Sequence, residues 1–176
     1  MRNIKFMGGV VAVIALSAFT ITESVSRKIS EDYSIKFSSE DPTGVFSKMD
    51  GVIIFDENDL SSAMFDVKVD VNSIDTGNKM QTKHAKSKKW LDAEQYPTIN
   101  FISKEFNKTS SGYEVIGTLE MHGVKKEFTM PFTFKANTFE SSFTVNRLDF
   151  NIGTTKGMSA KAALELKLDI SVPVIQ

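Results

Sequence analysis

Apolar and polar residues alternate with a period of two along most of the chain, the pattern of a strand with one buried and one exposed face. The clearest example starts at Ala63, where apolar residues hold positions 63, 65, 67, 69 and 71, and charged residues hold positions 66, 68 and 70. A slip of one residue in the pairing would bury three charges, so the pattern specifies the register of this strand.

The same alternation predicts further strands at Tyr33–Phe37, Tyr113–Met121, Phe128–Phe134, Phe139–Val145 and Leu164–Val172, and apolar runs add Val52–Phe55 and Ile99–Ile102. Turn-forming residues separate these segments, and short connections favour antiparallel neighbours. Between Thr76 and Leu91 the apolar residues recur at helical spacing, which predicts one short helix. About eight antiparallel strands with one apolar face must pack against a second sheet or close on themselves. A closed barrel of eight has room for side chains or for one small ligand.

Composition and charge narrow the class of protein. A chain of 176 residues with 41% hydrophobic residues and no internal linker is expected to form one globular domain. Its net charge of -1 argues against nucleic-acid binding. The absence of Cys excludes disulfides and thiolate sites, and two His exclude an all-imidazole zinc site. We find no catalytic motif, so we predict neither catalytic residues nor a metal site.

The N-terminus has the pattern of a secretory signal peptide. Arg2 and Lys5 precede an apolar stretch over residues 6–21, and a polar run over residues 22–30 follows. We place the cleavage after Ser26, with Ala18 as the alternative, so that residues 27–176 form the domain. This predicts a periplasmic or secreted protein. A retained anchor stays open as an alternative, although the apolar stretch is shorter than the roughly 20 residues that span a bilayer.

One segment is strongly basic. Lysines hold positions 79, 83, 86, 88 and 89, and no acidic residue lies among them. Such a segment is usually a solvated helix face, and the alternative is a basic lip that attracts an anionic head group or a membrane surface. His84 on the same helix is either solvent-exposed or at a cavity mouth, and the single Trp, Trp90, suits the edge of an apolar site.

Two further residues have alternative interpretations. Arg147 either forms an ion pair with Asp149 or another carboxylate, or its guanidinium holds a polar ligand group or closes one end of a barrel. His122 precedes Gly123, and it is interpreted either as part of a tight turn or as a ligand contact.

Six short motifs occur in a fixed order between about residue 30 and residue 172. They are Asp32–Phe37, Gly44–Asp56, Ser73–Asn78, Tyr96–Ser103, Gly117–Lys126 and Arg147–Gly153. Their order resembles the YceI-like family of bacterial polyisoprenoid-binding proteins. Two positions depart from the family pattern: Met49 stands where the family often has an aromatic residue, and no His precedes Ser34.

The resemblance implies an all-β fold, namely an antiparallel lipocalin-like β-barrel of about eight strands with one short helix, and it implies export. It also implies that the barrel holds a long-chain amphiphile such as an isoprenoid quinone, a polyprenyl phosphate or a fatty amide. We therefore predict a non-enzymatic protein that sequesters or carries an isoprenoid-like lipid, with no cofactor apart from that lipid. The candidate ligand-binding residues are Phe37, Phe65, Val67, Val69, His84, Trp90, Phe101, Phe132, Arg147 and Leu166.

The alternative function is a filled barrel that acts as an envelope stress or interaction module, with the lysine-rich helix as its contact surface. An enzyme acting on isoprenoid substrates is a third hypothesis, supported only by the cavity that the family fold implies. The expected partners are the lipid, a peripheral membrane contact and a second copy in a homodimer, without nucleic acid.

Overall fold

The computed structural model describes residues 26–40 and 42–175. The predicted signal peptide lies outside the described residues except for Ser26, which begins the first strand. The domain boundary after Ser26 therefore stays a prediction. Within the described residues, no helix is both long enough and apolar enough to cross a membrane.

Residues 26–40 and 42–175 form eleven strand segments and one α-helix. The strands are β1 (Ser26–Ile29), β2 (Ser34–Ser38), β3 (Gly44–Phe46), β4 (Met49–Ile54), β5 (Met64–Asp70), β6 (Ile74–Asp75), β7 (Thr98–Thr109), β8 (Gly112–Met121), β9 (Val124–Lys135), β10 (Thr138–Asn146) and β11 (Glu165–Ile175), and the helix is α1 (Lys79–Lys86). All pairings between these strands are antiparallel.

These segments form a closed barrel of eight strands, as predicted. Three of the eight strands are bent and divide into two segments each: β1 with β2, β3 with β4, and β5 with β6. The first bent strand pairs with the second through both halves, β1 with β4 and β2 with β3. It also pairs with β11 through both halves, which closes the ring. The order around the barrel therefore follows the order along the chain.

The hydrophobic pattern did not predict three short strand segments of the first half, β3, β6 and β1. The first of these along the chain is β1. Its sequence, Ser-Arg-Lys-Ile, contains a single apolar residue. The Arg27 side chain explains its place, because Nε donates a hydrogen bond to the Phe55 carbonyl at 2.9 Å and the guanidinium lies 4.6 Å from the centre of the Phe134 ring. A cation over an aromatic face is attractive, so a polar segment can lie against the core here.

The predicted short helix is confirmed as α1. Asn78 caps its N-terminus, because the side-chain oxygen accepts hydrogen bonds from the backbone N–H groups of Met80 and Gln81 at 2.9 and 3.1 Å. Such a cap satisfies donors that have no partner inside the helix. The helix connects β6 to β7 across one end of the barrel, which we call the helix end. The long connection over residues 147–164 lies at the same end.

The opposite end of the barrel is filled by aromatic side chains, which we call the aromatic plug. Its members are Phe55, Phe65, Phe106, Tyr113, Phe132, Phe134 and Phe139, all of them buried. Phe55 is fully buried, and its ring lies 5.3 Å from the rings of Tyr113, Phe134 and Phe139 in edge-on arrangements. Edge-on contacts at this distance are favourable beyond the burial of area. The plug therefore closes one half of the barrel with a packed core.

Candidate functional site

The half of the barrel next to α1 is hollow. It encloses a cavity of about 540 Å³, within the range of about 300 to 1,000 Å³ typical of small-molecule sites. The floor of the cavity is formed by Phe65, Phe132 and Phe139 of the aromatic plug. Its mouth lies at the helix end, between Pro42, Gln81 and His84 on one side and the segment 161–163 on the other. The filled-barrel alternative does not fit this arrangement, because only the plug half is packed.

The cavity wall is almost entirely hydrocarbon. Every strand that reaches the hollow half contributes inward-facing apolar side chains, and these are Ile35, Phe37, Phe46, Met49, Ile53, Val67, Val69, Ile74, Ile99, Phe101, Leu119, Met121, Phe128, Met130, Phe143, Val145, Leu166, Leu168, Ile170 and Val172. Such a lining favours an apolar occupant, because transfer of apolar surface out of water is the dominant gain in binding.

All ten candidate residues from the sequence lie around this one cavity. The seven apolar ones project inward from five different strands, and they are Phe37, Phe65, Val67, Val69, Phe101, Phe132 and Leu166. His84, Trp90 and Arg147 lie at the helix end. The structure therefore brings together residues that are up to 129 positions apart in the chain, Phe37 and Leu166. Their role in binding a ligand stays a prediction.

Arg147 is the most buried polar side chain of the cavity, with 2% of its surface exposed. The predicted ion pair with Asp149 is wrong, because Asp149 pairs instead with Lys126 at 3.1 Å. The Arg147 guanidinium donates to five backbone carbonyls, those of Ile152, Thr154, Ser159, Ala162 and Ala163, at 2.8 to 3.3 Å. An acidic side chain was the simpler expected partner. The planar guanidinium has five N–H donors, so backbone carbonyls can take the place of a carboxylate as its acceptors.

Arg147 therefore closes the helix end of the barrel, one of the two roles that its sequence context suggested. Its guanidinium also lies 5.4 Å from the Trp90 ring, which connects the segment 147–164 to the segment after α1. Burial lowers the pKa of Arg147 from its usual value, since desolvation disfavours the charged form. An arginine nevertheless stays protonated at neutral pH, so a positive charge lies beside an apolar cavity.

His122 forms part of a turn. It and Gly123 connect β8 to β9 with φ angles of 52° and 74°, in the left-handed region that Gly tolerates best. A Cβ atom on Gly123 would lie 2.7 Å from the Tyr96 ring, so a larger residue does not fit there. The His122 Nδ1 atom lies 3.2 Å from the Phe150 carbonyl oxygen, and its ring contacts Tyr96. These contacts seal the helix end on the side away from α1.

His84 is exposed and lies at the cavity mouth, so both of its sequence-based interpretations apply. Gln81, one helical turn before it, lines the same mouth. Helical spacing from His84 would have identified Gln81. Likewise, the alternation in β9 and β10 would have identified Phe128, Met130 and Phe143. The cavity is also lined by Lys161, Ala162 and Ala163. They belong to an irregular segment, which the hydrophobic pattern does not predict.

Charge is distributed unevenly between the two ends of the barrel. At the helix end, lysines hold positions 79, 83, 86, 88 and 89 on and directly after α1, which borders one side of the mouth, and we call them the basic rim. Met80, within this rim, is 67% exposed. At the plug end, the connection from β4 to β5 carries Asp56, Glu57 and Asp59 and no basic residue. A nearly neutral protein therefore carries a cluster of positive charge on one side of its cavity mouth.

A closed eight-stranded antiparallel barrel with an apolar cavity under one end has the architecture of a protein that binds an apolar molecule inside its barrel. Comparison with known proteins agrees with this class. The YceI-like domain matches residues 22–173, nearly the whole described chain. The chain belongs to the YceI-like domain family.

Individual relatives are consistent with this assignment. A UPF0312 protein of Yersinia enterocolitica is 33% identical over 139 residues, which cover 73% of this chain and 71% of that protein. Among solved structures, BcnA of Burkholderia cenocepacia matches with a TM-score of 0.73 and 26% identity, over 82% of this chain and 96% of that one. A polyisoprenoid-binding domain of Saccharophagus degradans, implicated in plant cell wall breakdown, matches with a TM-score of 0.61 over 85% of this chain and 97% of that one. At 13% identity, this last likeness shows the fold alone.

Proposed function

We propose that this protein binds a long-chain isoprenoid-like amphiphile in the barrel cavity and sequesters or carries it without altering it chemically. The observation that carries the proposal is the cavity itself: about 540 Å³ of space lined by apolar side chains and reached through a mouth with polar groups. Each CH₂ group buried there contributes about 0.8 kcal/mol. A polyprenyl or isoprenoid quinone tail has many such groups in a row.

The arrangement of polar groups supports an orientation for this ligand. The plug end of the cavity is aromatic, whereas Gln81, His84 and Lys161 lie at the mouth. The tail would therefore point toward Phe65 and Phe132, and the polar head would lie at the mouth. Carbonyl oxygens hold the buried guanidinium of Arg147 in the wall of the cavity. Its positive charge favours a polar or anionic head nearby.

Export is part of the proposal. The pattern of the N-terminal 26 residues supports a signal peptide, and a periplasmic or secreted protein that holds a lipid would keep apolar tails out of water between membranes. The absence of Cys from the chain is compatible with an oxidising compartment, because no free thiol is exposed to oxidation there.

The first experiment is to purify the mature protein from envelope fractions of its own host, extract it with organic solvent and analyse the extract by mass spectrometry. A mock purification from a strain lacking the protein is the control. We expect a stoichiometric polyprenyl or quinone species. Folded protein without an enriched lipid would contradict the proposal.

A matched pair of variants tests the cavity as the site. Val69→Asp places a carboxylate in the apolar cavity, and Val52→Asp makes the same change on the outer wall, where Val52 is 46% exposed. Burying a charge without a partner is costly, so we expect Val69→Asp to lose the lipid and Val52→Asp to retain it. If Val69→Asp does not fold, Val67→Trp reduces the cavity volume without adding charge and should lower the bound lipid. Normal lipid content in folded Val69→Asp would show that the tail lies elsewhere.

The basic rim supports a second part of the proposal, a peripheral contact with an anionic membrane surface during loading and unloading. The rim borders one side of the mouth, and the exposed Met80 lies among its charges. Lysines near an anionic bilayer contribute about 1 kcal/mol each. A contact made through the rim would present the mouth to the bilayer.

Charge-matched triple variants test the membrane contact. Lys83→Ser, Lys86→Ser and Lys88→Ser together remove three charges from the rim, and Lys28→Ser, Lys108→Ser and Lys135→Ser remove three exposed charges from the plug half. In co-sedimentation with vesicles of phosphatidylcholine and phosphatidylglycerol, we expect the rim variant to bind about a hundredfold more weakly, at about 1 kcal/mol per charge. Equal losses in both variants would contradict a contact through the rim.

A further inference from the structure

The wall of the barrel is not continuous between β9 and β10. These strands pair at only three positions, from Thr138 opposite Lys135 to Glu140 opposite Thr133. The neighbouring ladders are complete, since β8 pairs with β9 at nine positions and β10 pairs with β11 at nine positions. From Glu140 toward the helix end, the pairing of β9 with β10 stops. We call this unpaired stretch, residues 124–132 of β9 and 141–146 of β10, the seam.

The sequence explains where the pairing stops. Pro131 has no backbone N–H and cannot donate to a ladder, so it ends the regular pairing of β9 with β10. Its carbonyl accepts a hydrogen bond from the Ser141 side chain at 2.6 Å, which replaces a ladder contact at the lower end of the seam. At the helix end, Lys126 of β9 forms an ion pair with Asp149 at 3.1 Å. The seam is therefore bounded by one side-chain hydrogen bond and one exposed ion pair.

Between these two contacts, aromatic side chains span the seam. The rings of Phe128 and Phe143 lie 5.0 Å apart, one from each strand, and both line the cavity. On the outside, a groove of about 570 Å³ lies at the plug-side end of the seam, where residues 131–133 of β9 and 140–142 of β10 line it together with residues of β2, β8 and β11. Phe132, Ser141 and Ile170 line both this groove and the cavity, so only single side chains separate the inside of the barrel from the outside here.

Opening the seam requires less free energy than opening the wall elsewhere. Separating two strands of a complete ladder breaks several backbone hydrogen bonds, each worth about 1 kcal/mol net. In the seam, the ladder does not have to be broken. The exposed ion pair of Lys126 with Asp149 adds little resistance, because exposed pairs contribute about 0 to 1 kcal/mol. The remaining barrier is the hydrogen bond from Ser141 to the Pro131 carbonyl and the contact between the Phe128 and Phe143 rings.

We propose that the seam is a lateral portal through which the apolar tail of the ligand enters and leaves the cavity, with Phe128 and Phe143 as its gate. This inference rests on the proposed lipid-binding function. The aromatic plug closes the far end of the barrel, so a tail that entered only through the mouth would have to thread in end-first. A portal along the wall lets the tail move in sideways while its head stays at the mouth, next to the basic rim.

A covalent clamp tests the portal directly, and the lack of native Cys makes the chemistry specific. The last pair of β9 with β10 is Thr133 opposite Glu140. Extending its register by four residues places Thr129 opposite Thr144, and both side chains are exposed. The variant with Thr129→Cys and Thr144→Cys can be cross-linked across the seam by a short bifunctional thiol reagent. The matched control carries Thr144→Cys and Lys167→Cys, which pair directly across the complete ladder between β10 and β11.

The readout is the rate at which dansyl-labelled geranylgeraniol binds to and dissociates from each protein, before and after cross-linking. We expect the clamp across the seam to slow both rates at least tenfold with little change in Kd, and the control clamp to change neither. We also expect Phe128→Ala and Phe143→Ala to accelerate dissociation. Unchanged rates in the clamped seam, or equal slowing by both clamps, would overturn the proposal.

The outcomes separate this inference from the function on which it rests. If the unmodified protein binds the probe and the seam clamp has no effect, the lipid-binding function stands and the ligand passes through the mouth. If the unmodified protein binds no probe and its solvent extract contains no lipid, the binding function fails and the portal fails with it. Circular dichroism of each cross-linked protein verifies that the barrel is intact.

Discussion

Replacing Arg147 by Met tests how the helix end of the barrel is held together. The side chain is almost fully buried and donates hydrogen bonds of 2.9 Å or less to the carbonyls of Ile152, Ser159 and Ala163. Methionine fills similar space without any donor, so the carbonyls of Ile152 and Ala163 lose their partner, and the Ser159 carbonyl keeps only the Ala162 N–H at 3.3 Å. A buried polar group without a partner costs about 1 to 3 kcal/mol. Relief of burying a cation offsets part of this loss. We therefore expect the free energy of unfolding to fall by about 3 kcal/mol, toward the lower end of the summed costs of these carbonyls.

The loss is large enough for equilibrium unfolding to measure. With a urea m-value of about 1 to 3 kcal/mol/M, it lowers the urea midpoint by about 1 to 3 M. In a thermal scan it lowers Tm by about 6 to 12 °C, at about 2 to 4 °C per kcal/mol for a chain of this size. Hydrogen exchange should localise the change, with the greatest loss of protection in residues 147–164.

Two controls define the interpretation. Arg147→Lys keeps the charge but has three donors on one nitrogen, so we expect an intermediate loss. Lys161→Met changes an exposed cation in the same segment. Its free energy of unfolding should stay within about 0.5 kcal/mol of that of the parent protein. A loss below about 1 kcal/mol in Arg147→Met would refute the reasoning, since it would mean that the carbonyls do not depend on the guanidinium.

Two further predictions concern the plug end and α1. Burial, and then the hydrogen bond to Glu57 at 2.9 Å and the charge of Glu57, raise the pKa of Tyr113 above its usual value of about 10. The folded state therefore holds this proton longer than the unfolded state does, and its contribution to stability is complete below about pH 10 and lost as pH rises through the folded pKa. We expect urea unfolding between about pH 8 and pH 11 to show a steeper loss of stability in the parent protein than in Tyr113→Phe, and parallel curves would contradict this. Asn78→Ala removes the cap of α1, and we expect about 1 kcal/mol less protection of the Lys79–Lys86 amides in hydrogen exchange, with unchanged protection in β8 as the internal control.

The hydrophobic pattern alone predicts the longer strands, their faces and the helix. Side chains in a strand point alternately to its two sides, so the apolar positions 65, 67 and 69 share a face whatever the rest of the chain does. This local rule is the reason that the seven apolar candidate residues project into one cavity. The alternation rule does not predict the bends that divide three strands into two segments each, because the bends depend on how neighbouring strands coil around the barrel.

Which half of the barrel is hollow follows from the tertiary structure and not from the hydrophobic pattern. Phe37 and Phe55 both face inward, but Phe37 lines the cavity while Phe55 lies at the centre of the plug. Alternation specifies the face of a strand and not the depth along the barrel axis, which follows from the register of all eight strands together.

The partners of Arg147 and the position of the seam were also decided at this level. Arg147 binds carbonyl oxygens of an irregular segment 5 to 16 residues further along the chain, and backbone carbonyls are the same for every residue type. Pro131 is visible in the sequence as a residue that cannot donate to a ladder, but which side of β9 it affects depends on the neighbour. Hydrophobic pattern is a local property of the chain, whereas closure, cavity and portal arise from the distances between strands that are far apart in the sequence.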